Sequence, residues 1–240
     1  MAENQVKSEL PQALVKAKGF WDKYSRKIII AGIALIVIGG VYFGYKYMYK
    51  LPAEQKASDL IFPAEKLFGK MGTTSSFNKD TVIMVLNGGN LEGVAVTGLL
   101  KIINNYGSTQ AGNRAKYIAG ACYLQLKDFD NAIKYLKDFE GKGANQVQSK
   151  AYLMMGHAYA EKKNTEEALN YYKKAADIVE NDEGLAAEAL FIEGSYADEM
   201  GKTKNAIDAF QKIKDNYPTS LRAQSGEADK YLAKLGAANK

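Results

Sequence analysis

His157 and Cys122 are the only histidine and the only cysteine in the chain, and together they bound the chemistry it can perform. Nucleophilic catalysis needs a side chain activated by a neighbouring base, and a metal centre needs several His, Cys or carboxylate ligands at fixed spacing. The sequence has no Ser/His/Asp or Cys/His pattern, no metal-ligand spacing and no phosphate-binding glycine loop. Carboxylates such as Glu166 and Glu167 are plentiful, but on helices they read as a solvated face. Cys122 lies among Ala121, Tyr123 and Leu124 and reads as a small buried hydrophobe rather than a reactive thiol. A single cysteine forms no intramolecular disulfide, so packing must hold the fold. The expectation is a non-enzymatic chain with no catalytic, metal or cofactor site.

The element that positions everything else is Ile28 to Tyr45, IIIAGIALIVIGGVYFGY, a run without a charge in a sequence that is 25% charged. At about 1.5 Å per residue these residues span roughly 27 Å as a helix, close to the hydrocarbon thickness of a bilayer. A buried soluble helix would show a polar stripe, and this run is apolar all round. A cleaved signal peptide would have a shorter charged leader and a small-x-small site, whereas this run continues as Val41-Tyr-Phe-Gly-Tyr-Lys. A lipoprotein would need a cysteine just beyond the run. The expectation is one transmembrane helix over 28–49 behind a cytoplasmic leader, 1–27. Lys16, Lys18, Lys23, Arg26 and Lys27 precede the span, against Lys46, Lys50 and Lys56 after it, which keeps the N-terminus cytoplasmic. Phe20, Trp21 and Tyr24 on one side, and Tyr42, Tyr45, Tyr47 and Tyr49 on the other, supply the interfacial aromatics.

The formal charge of +5 belongs to this leader. Residues 1–50 carry eight Lys or Arg against three Asp or Glu, and residues 51–240 carry twenty-four of each. A neutral, mixed-charge domain reads as protein-binding and offers no nucleic-acid surface.

Taken in order, residues 1–9 are polar. From Leu10, the residues Leu14, Ala17, Trp21 and Tyr24 recur at helical spacing, either as an amphipathic helix on the membrane surface or as the solvated start of the anchor helix. Gly32, Ile36, Gly40 and Gly44 share a helix face, so Gly32, Gly40 and Gly44 are candidates for contact with another transmembrane helix. Residues 50–109 read as a helical stalk and a degenerate repeat. Pro52 can start the helix and Pro63 can kink it, and 72–80 is a polar loop. Thr81 to Leu86 reads as a short helix, Asn87-Gly-Gly-Asn90 as a turn, and Asn90 as the cap of a helix over Leu91 to Asn105.

From about Asn113 the chain is periodic. Gly120, Gly156 and Gly194 are each followed twelve residues later by Ala132, Ala168 and Ala206. A period of thirty-odd residues predicts pairs of antiparallel helices, with small residues where the two helices of a pair cross. Tyr123 and Tyr159 follow their glycines by three, Tyr172 and Phe210 follow their alanines by four, and Pro218 ends the last helix. This pattern resembles the tetratricopeptide repeat family. Tyr152, Met155, Gly156, Tyr159, Ala168, Tyr172 and Ala175 fit its motif best; Leu136 and Phe139 depart from it, as do Tyr196 and Glu193, the latter where leucine is usual. Leu221 to Leu235, started by Thr219 or Ser220 and ended at Gly236, reads as the terminal capping helix.

The fold expected is all-α, a single transmembrane helix followed by a tetratricopeptide-type α-solenoid over 110–235. By position, the resemblance implies a protein-binding groove lined by Arg114, Tyr117, Lys150, Leu153, His157, Glu188, Phe191 and Asp198. The clamp for a carboxy-terminal carboxylate is not reproduced, since Ala121, His157 and Ser195 stand where asparagine would be expected at one or another repeat. The architecture, with Gly19-Phe-Trp-Asp-Lys-Tyr24 before the span and Tyr45-Lys-Tyr-Met-Tyr-Lys50 after it, resembles the bacterial YfgM-like family. That resemblance implies an inner-membrane protein with a periplasmic repeat domain, an ancillary subunit of the SecYEG translocon that works with a membrane-anchored periplasmic chaperone or prolyl isomerase. The alternative is a scaffold for cell-envelope assembly or division complexes.

Overall fold

The computed structural model describes residues 12–73, 78–91 and 93–237. The expected polar start, 1–9, and much of the loop after Thr73 lie outside the described residues. The chain divides into two units, Met1–Ala53 and Glu54–Lys240.

In the first unit, α1 (Gln12–Gly44) is one unbroken helix, followed by a π-helix over Tyr45–Lys50 that ends with the Leu51 N–H donating to the Lys46 carbonyl, a five-residue step. From Gln12 the leader runs into the apolar stretch as one continuous helix. Among the described residues this is where a helix is long and apolar enough to cross a membrane, with a mean hydropathy of 2.3 over its best window. From Ile28 to Phe43 its large side chains are exposed, Leu35, Ile36 and Val41 at 70%, 75% and 69%, and no charged residue interrupts them. A Cβ added at Gly32, Gly40 or Gly44 would meet nothing within 4 Å, so this small-residue face is open.

The second unit begins within α2 (Leu51–Thr73), which continues through Pro63. Ala57, Ile61 and Ala64, at helical spacing, are fully buried there. They share a cluster with Val82, Val85 and Leu86 of α3 (Lys79–Asn87) and with residues further along. Asn78 caps α3 by accepting from the Thr81 N–H, as expected of the short helix read over Thr81 to Leu86.

The helix expected from Leu91 is not there. Residues β1 (Gly88–Leu91) and β2 (Val94–Thr97) form an antiparallel hairpin with Leu91 opposite Val94. Asn90 caps the turn instead of a helix: its Oδ1 accepts from the N–H of Gly93, whose φ of +83° suits a two-residue hairpin loop. The helix starts eight residues later, as α4 (Leu99–Tyr106), after Gly98, where a Cβ would lie 2.2 Å from the Asn87 backbone.

The periodic part folds as helix pairs: α5 (Gln110–Gln125) with α6 (Phe129–Lys137), α7 (Asn145–Glu161) with α8 (Thr165–Asp177), and α9 (Glu183–Glu199) with α10 (Thr203–Asn216). Each pair turns through a left-handed residue seven positions after its glycine: Lys127, Lys163 and Gly201. Asp128 and Asn164 then cap the second helices. The buried alanines Ala132, Ala168 and Ala206 have no exposed surface, as a close helix crossing demands. The expected single capping helix is two: α11 (Leu221–Gln224), capped by Ser220, and α12 (Glu227–Lys234), separated by Ser225 and Gly226 at φ +70°. The left-handed glycine breaks the helix, and Gly236 ends it at φ +73°.

Candidate protein-binding surface

The predicted groove residues come from the first helices of the three pairs, and the structure separates them by what covers them. Arg114 and Tyr117, on α5, line a cavity of about 580 Å³ with Phe68 of α2, Ile118, Phe139 and Val147. Its wall is mainly apolar. Arg114 Nε donates to Glu65 Oε1 at 2.8 Å across its rim. The Tyr117 ring is tilted against that of Phe139 at 5.2 Å, and burial raises the phenol pKa. The far wall is the segment Phe139 to Ala144, held by a reciprocal pair: Asn113 Nδ2 donates to the Glu140 carbonyl at 2.7 Å, and the Glu140 N–H donates to Asn113 Oδ1 at 3.1 Å.

On α7, Lys150 is exposed and Leu153 is half-buried against the core of the third pair. His157 has an exposed edge, while its Nδ1 lies 2.9 Å from the Tyr172 hydroxyl. Burial lowers the imidazole pKa from its ordinary value, with Glu161 pulling the other way, and the ring packs edge-on against Tyr172. It is a hydrogen-bonded structural histidine with one face available.

On α9 the three residues meet the chain's own C-terminal helices. Glu188 accepts from Arg222 Nε at 2.7 Å and Nη2 at 2.9 Å. Phe191 is covered by the Arg222 guanidinium at 3.9 Å and edge-packed by Tyr231 at 5.5 Å. Asp198 accepts from Lys234 Nζ at 2.6 Å. The open surface among the predicted residues is therefore at α5 and α7, and the α9 set is occupied within the chain.

Sequence reasoning missed Glu65 and Phe68, which sit in the stretch read as a stalk, and the segment Glu140 to Val147, which it did not single out. A second cavity, about 330 Å³, lies among α6, α7 and α8, lined by Lys137, Tyr152, Met155, Tyr171 and Lys174. Tyr159 stacks on Tyr171 at 5.4 Å there, and Lys174 Nζ lies 4.8 Å from the Tyr171 ring. Among the described residues no three His, Cys, Asp or Glu side chains converge as a metal site.

Two tetratricopeptide repeat models match the chain, one over residues 114–139 and 149–182 and the other over 188–220. No curated protein matches it. The matched segments coincide with the three helix pairs, whose glycines and alanines supply the tight crossings. Residues 114–139, 149–182 and 188–220 thus match tetratricopeptide repeats in an all-α solenoid, a kind of repeat that suggests protein–protein interaction.

Proposed function

We propose that this chain is a bacterial inner-membrane protein, anchored by α1, whose periplasmic repeats bind other proteins as an ancillary part of the Sec translocon, together with a membrane-anchored periplasmic chaperone or prolyl isomerase. The observation that carries the binding reading is the cavity of about 580 Å³ beside Arg114 and Tyr117, apolar within and polar at its rim. A site of that size and lining accepts one or two apolar side chains of a protein segment, and the rim charges orient its polar groups. The anchor reading is supported by the length and exposure of α1, and the orientation by the five cations before the span. The translocon and chaperone partners rest on the resemblance of the two flanking motifs.

The test is site-specific photo-crosslinking in intact membranes from position Val147, at the mouth of the cavity, with Glu180, exposed and away from it, as control. Adducts containing a SecYEG subunit or a periplasmic chaperone from Val147 alone support the proposal. Adducts with other proteins only, or equal labelling from both positions, overturn the assigned partners. A phosphatase fused after the repeats should be active, and its inactivity overturns the orientation.

A further inference from the structure

The leader carries five cations, and the helix that contains them fixes their height relative to the apolar span. Because α1 is unbroken from Gln12 to Gly44, each residue before Ile28 steps back about 1.5 Å along one axis. Lys27 and Arg26 adjoin the span, Lys23 lies about 7 Å before it, and Lys18 and Lys16 lie about 15 and 18 Å before it. The potential of a charged surface decays over about 8 Å at physiological ionic strength, so only the first three sit where that potential is strong. At about 100° per residue these three span roughly 100° of the helix surface, one continuous face. All three are exposed. Among the described residues the ion pairs join Glu65 and residues beyond it, so none neutralises this face. Asp22 is the acid nearest to it on the helix; Phe20, 58% exposed and 4.9 Å from Tyr24, lies about 20° round the helix from Lys27, whereas Trp21, 54% exposed, lies about 170° from the middle of this face.

We infer that Lys23, Arg26 and Lys27 form a collar that recruits anionic phospholipid headgroups to this end of the anchor, with Phe20 beside them on the same side of the helix. This rests on the membrane-anchor reading and deepens it by naming the lipid. The cations pair with headgroup phosphates, the aromatic rings occupy the interface, and the more distant Lys16 and Lys18 contribute little. The opposite end, with Lys46 and Lys50, has fewer cations close to the span.

Trp21 is the only tryptophan in the chain but faces away from the proposed collar, so the probe is the Phe20→Trp/Trp21→Phe exchange, whose single tryptophan lies about 20° from Lys27 round the helix. The full chain, reconstituted in neutral vesicles containing a minor fraction of brominated lipid, is compared with the brominated lipid either anionic or neutral at equal mole fraction. Expected is at least about twofold stronger quenching of the tryptophan at position 20 by the anionic quencher at low salt, reduced at high salt. The Lys23→Gln/Arg26→Gln/Lys27→Gln variant should lose that difference, while Lys16→Gln/Lys18→Gln and Lys46→Gln/Lys50→Gln should keep it. Equal quenching by the two lipids, in a chain that floats with the vesicles, overturns the collar and leaves the anchor standing. A chain that does not float with the vesicles overturns both.

Discussion

Gly156 lies directly under the ring of Tyr172: a Cβ at that position would sit 2.4 Å from the Tyr172 Cε1. The same relationship recurs sixteen residues apart in each repeat, with Gly120 against Leu136 at 2.4 Å and Gly194 against Phe210 at 2.9 Å. The glycine makes room for the large residue of the second helix, not only for the alanine at the crossing. Tyr172 is 2% exposed, and its hydroxyl is tied to His157, so the ring cannot swing away cheaply. Gly156→Ala should therefore destabilise the repeats by about 1–3 kcal/mol, as overpacking does in a filled core. Urea unfolding followed by circular dichroism measures it. An unchanged midpoint would mean that the ring moves freely and the close packing is not what holds this pair of helices.

Glu193 stands where the repeat pattern expects leucine, and it is only 8% exposed. Burial pushes its carboxyl pKa up to about 7; Asp177 of α8 and Asp208 of α10 push the same way, while Lys173 of α8 and Lys212 of α10 oppose them. Its folded pKa lies above its unfolded one, so the folded state binds the extra proton. Stability is then greatest below about pH 4.5 as far as this group is concerned, and is lost as pH rises toward 7, by roughly 3 kcal/mol at most. Glu193→Leu should raise the melting temperature at pH 8 and raise it much less at pH 5. An equal gain at both values would show that leucine acts by packing alone and that the carboxyl is not held protonated.

The repeats were legible because their constraints are local in sequence: glycine, alanine and aromatic positions recur where two helices must cross, and the period survives insertion. Glu193 was legible too as a misfit, though its raised pKa depends on the α8 and α10 surfaces packed around it. The hairpin was not read, although Val94 to Thr97 is β-branched at Val94, Val96 and Thr97 and follows Gly93. Asn90 fits either a helix cap or a turn, and only its contact with Gly93 decides. The candidate surface was half legible. Positions carried over from a regular repeat located Arg114 and Tyr117, but no pattern tells that Phe68 of α2 completes their cavity or that α11 and α12 cover Phe191.

Arg222 anchors the C-terminal helices by one planar group. It makes two hydrogen bonds to Glu188, one to Glu227 at 2.6 Å, and sits over the Phe191 ring with its guanidinium carbon 3.9 Å from the centroid. Three-quarters of its side chain is covered, while both carboxylates are more exposed, which screens part of the gain. Arg222→Ala should cost about 1–2 kcal/mol and speed amide exchange in residues 221–234. Arg222→Lys should recover little, because an ammonium cannot make the paired bonds or the stacking. Full recovery by lysine would show that charge alone matters there.

Cys122 turns the core of the second unit into a reporter. Its thiol has no exposed surface, and burial raises its pKa to about 12. At pH 8 the thiolate population is then on the order of 10³ lower than for a free thiol, before access is considered. Labelling by a thiol reagent must proceed through openings of the cluster that Cys122 shares with Ala57, Ile61, Val85 and Ile102. Ile61→Ala, which leaves a cavity in that cluster, should therefore accelerate labelling at least about tenfold, matching a loss of a few kcal/mol. Gly194→Ala, in the third helix pair, should leave the rate nearly unchanged, because helix repeats contact only their neighbours and open locally. Labelling of the unaltered chain as fast as a free thiol would mean that α2 does not cover this core. Equal acceleration by both variants would mean that the whole stack from α2 to α12 opens as one cooperative unit.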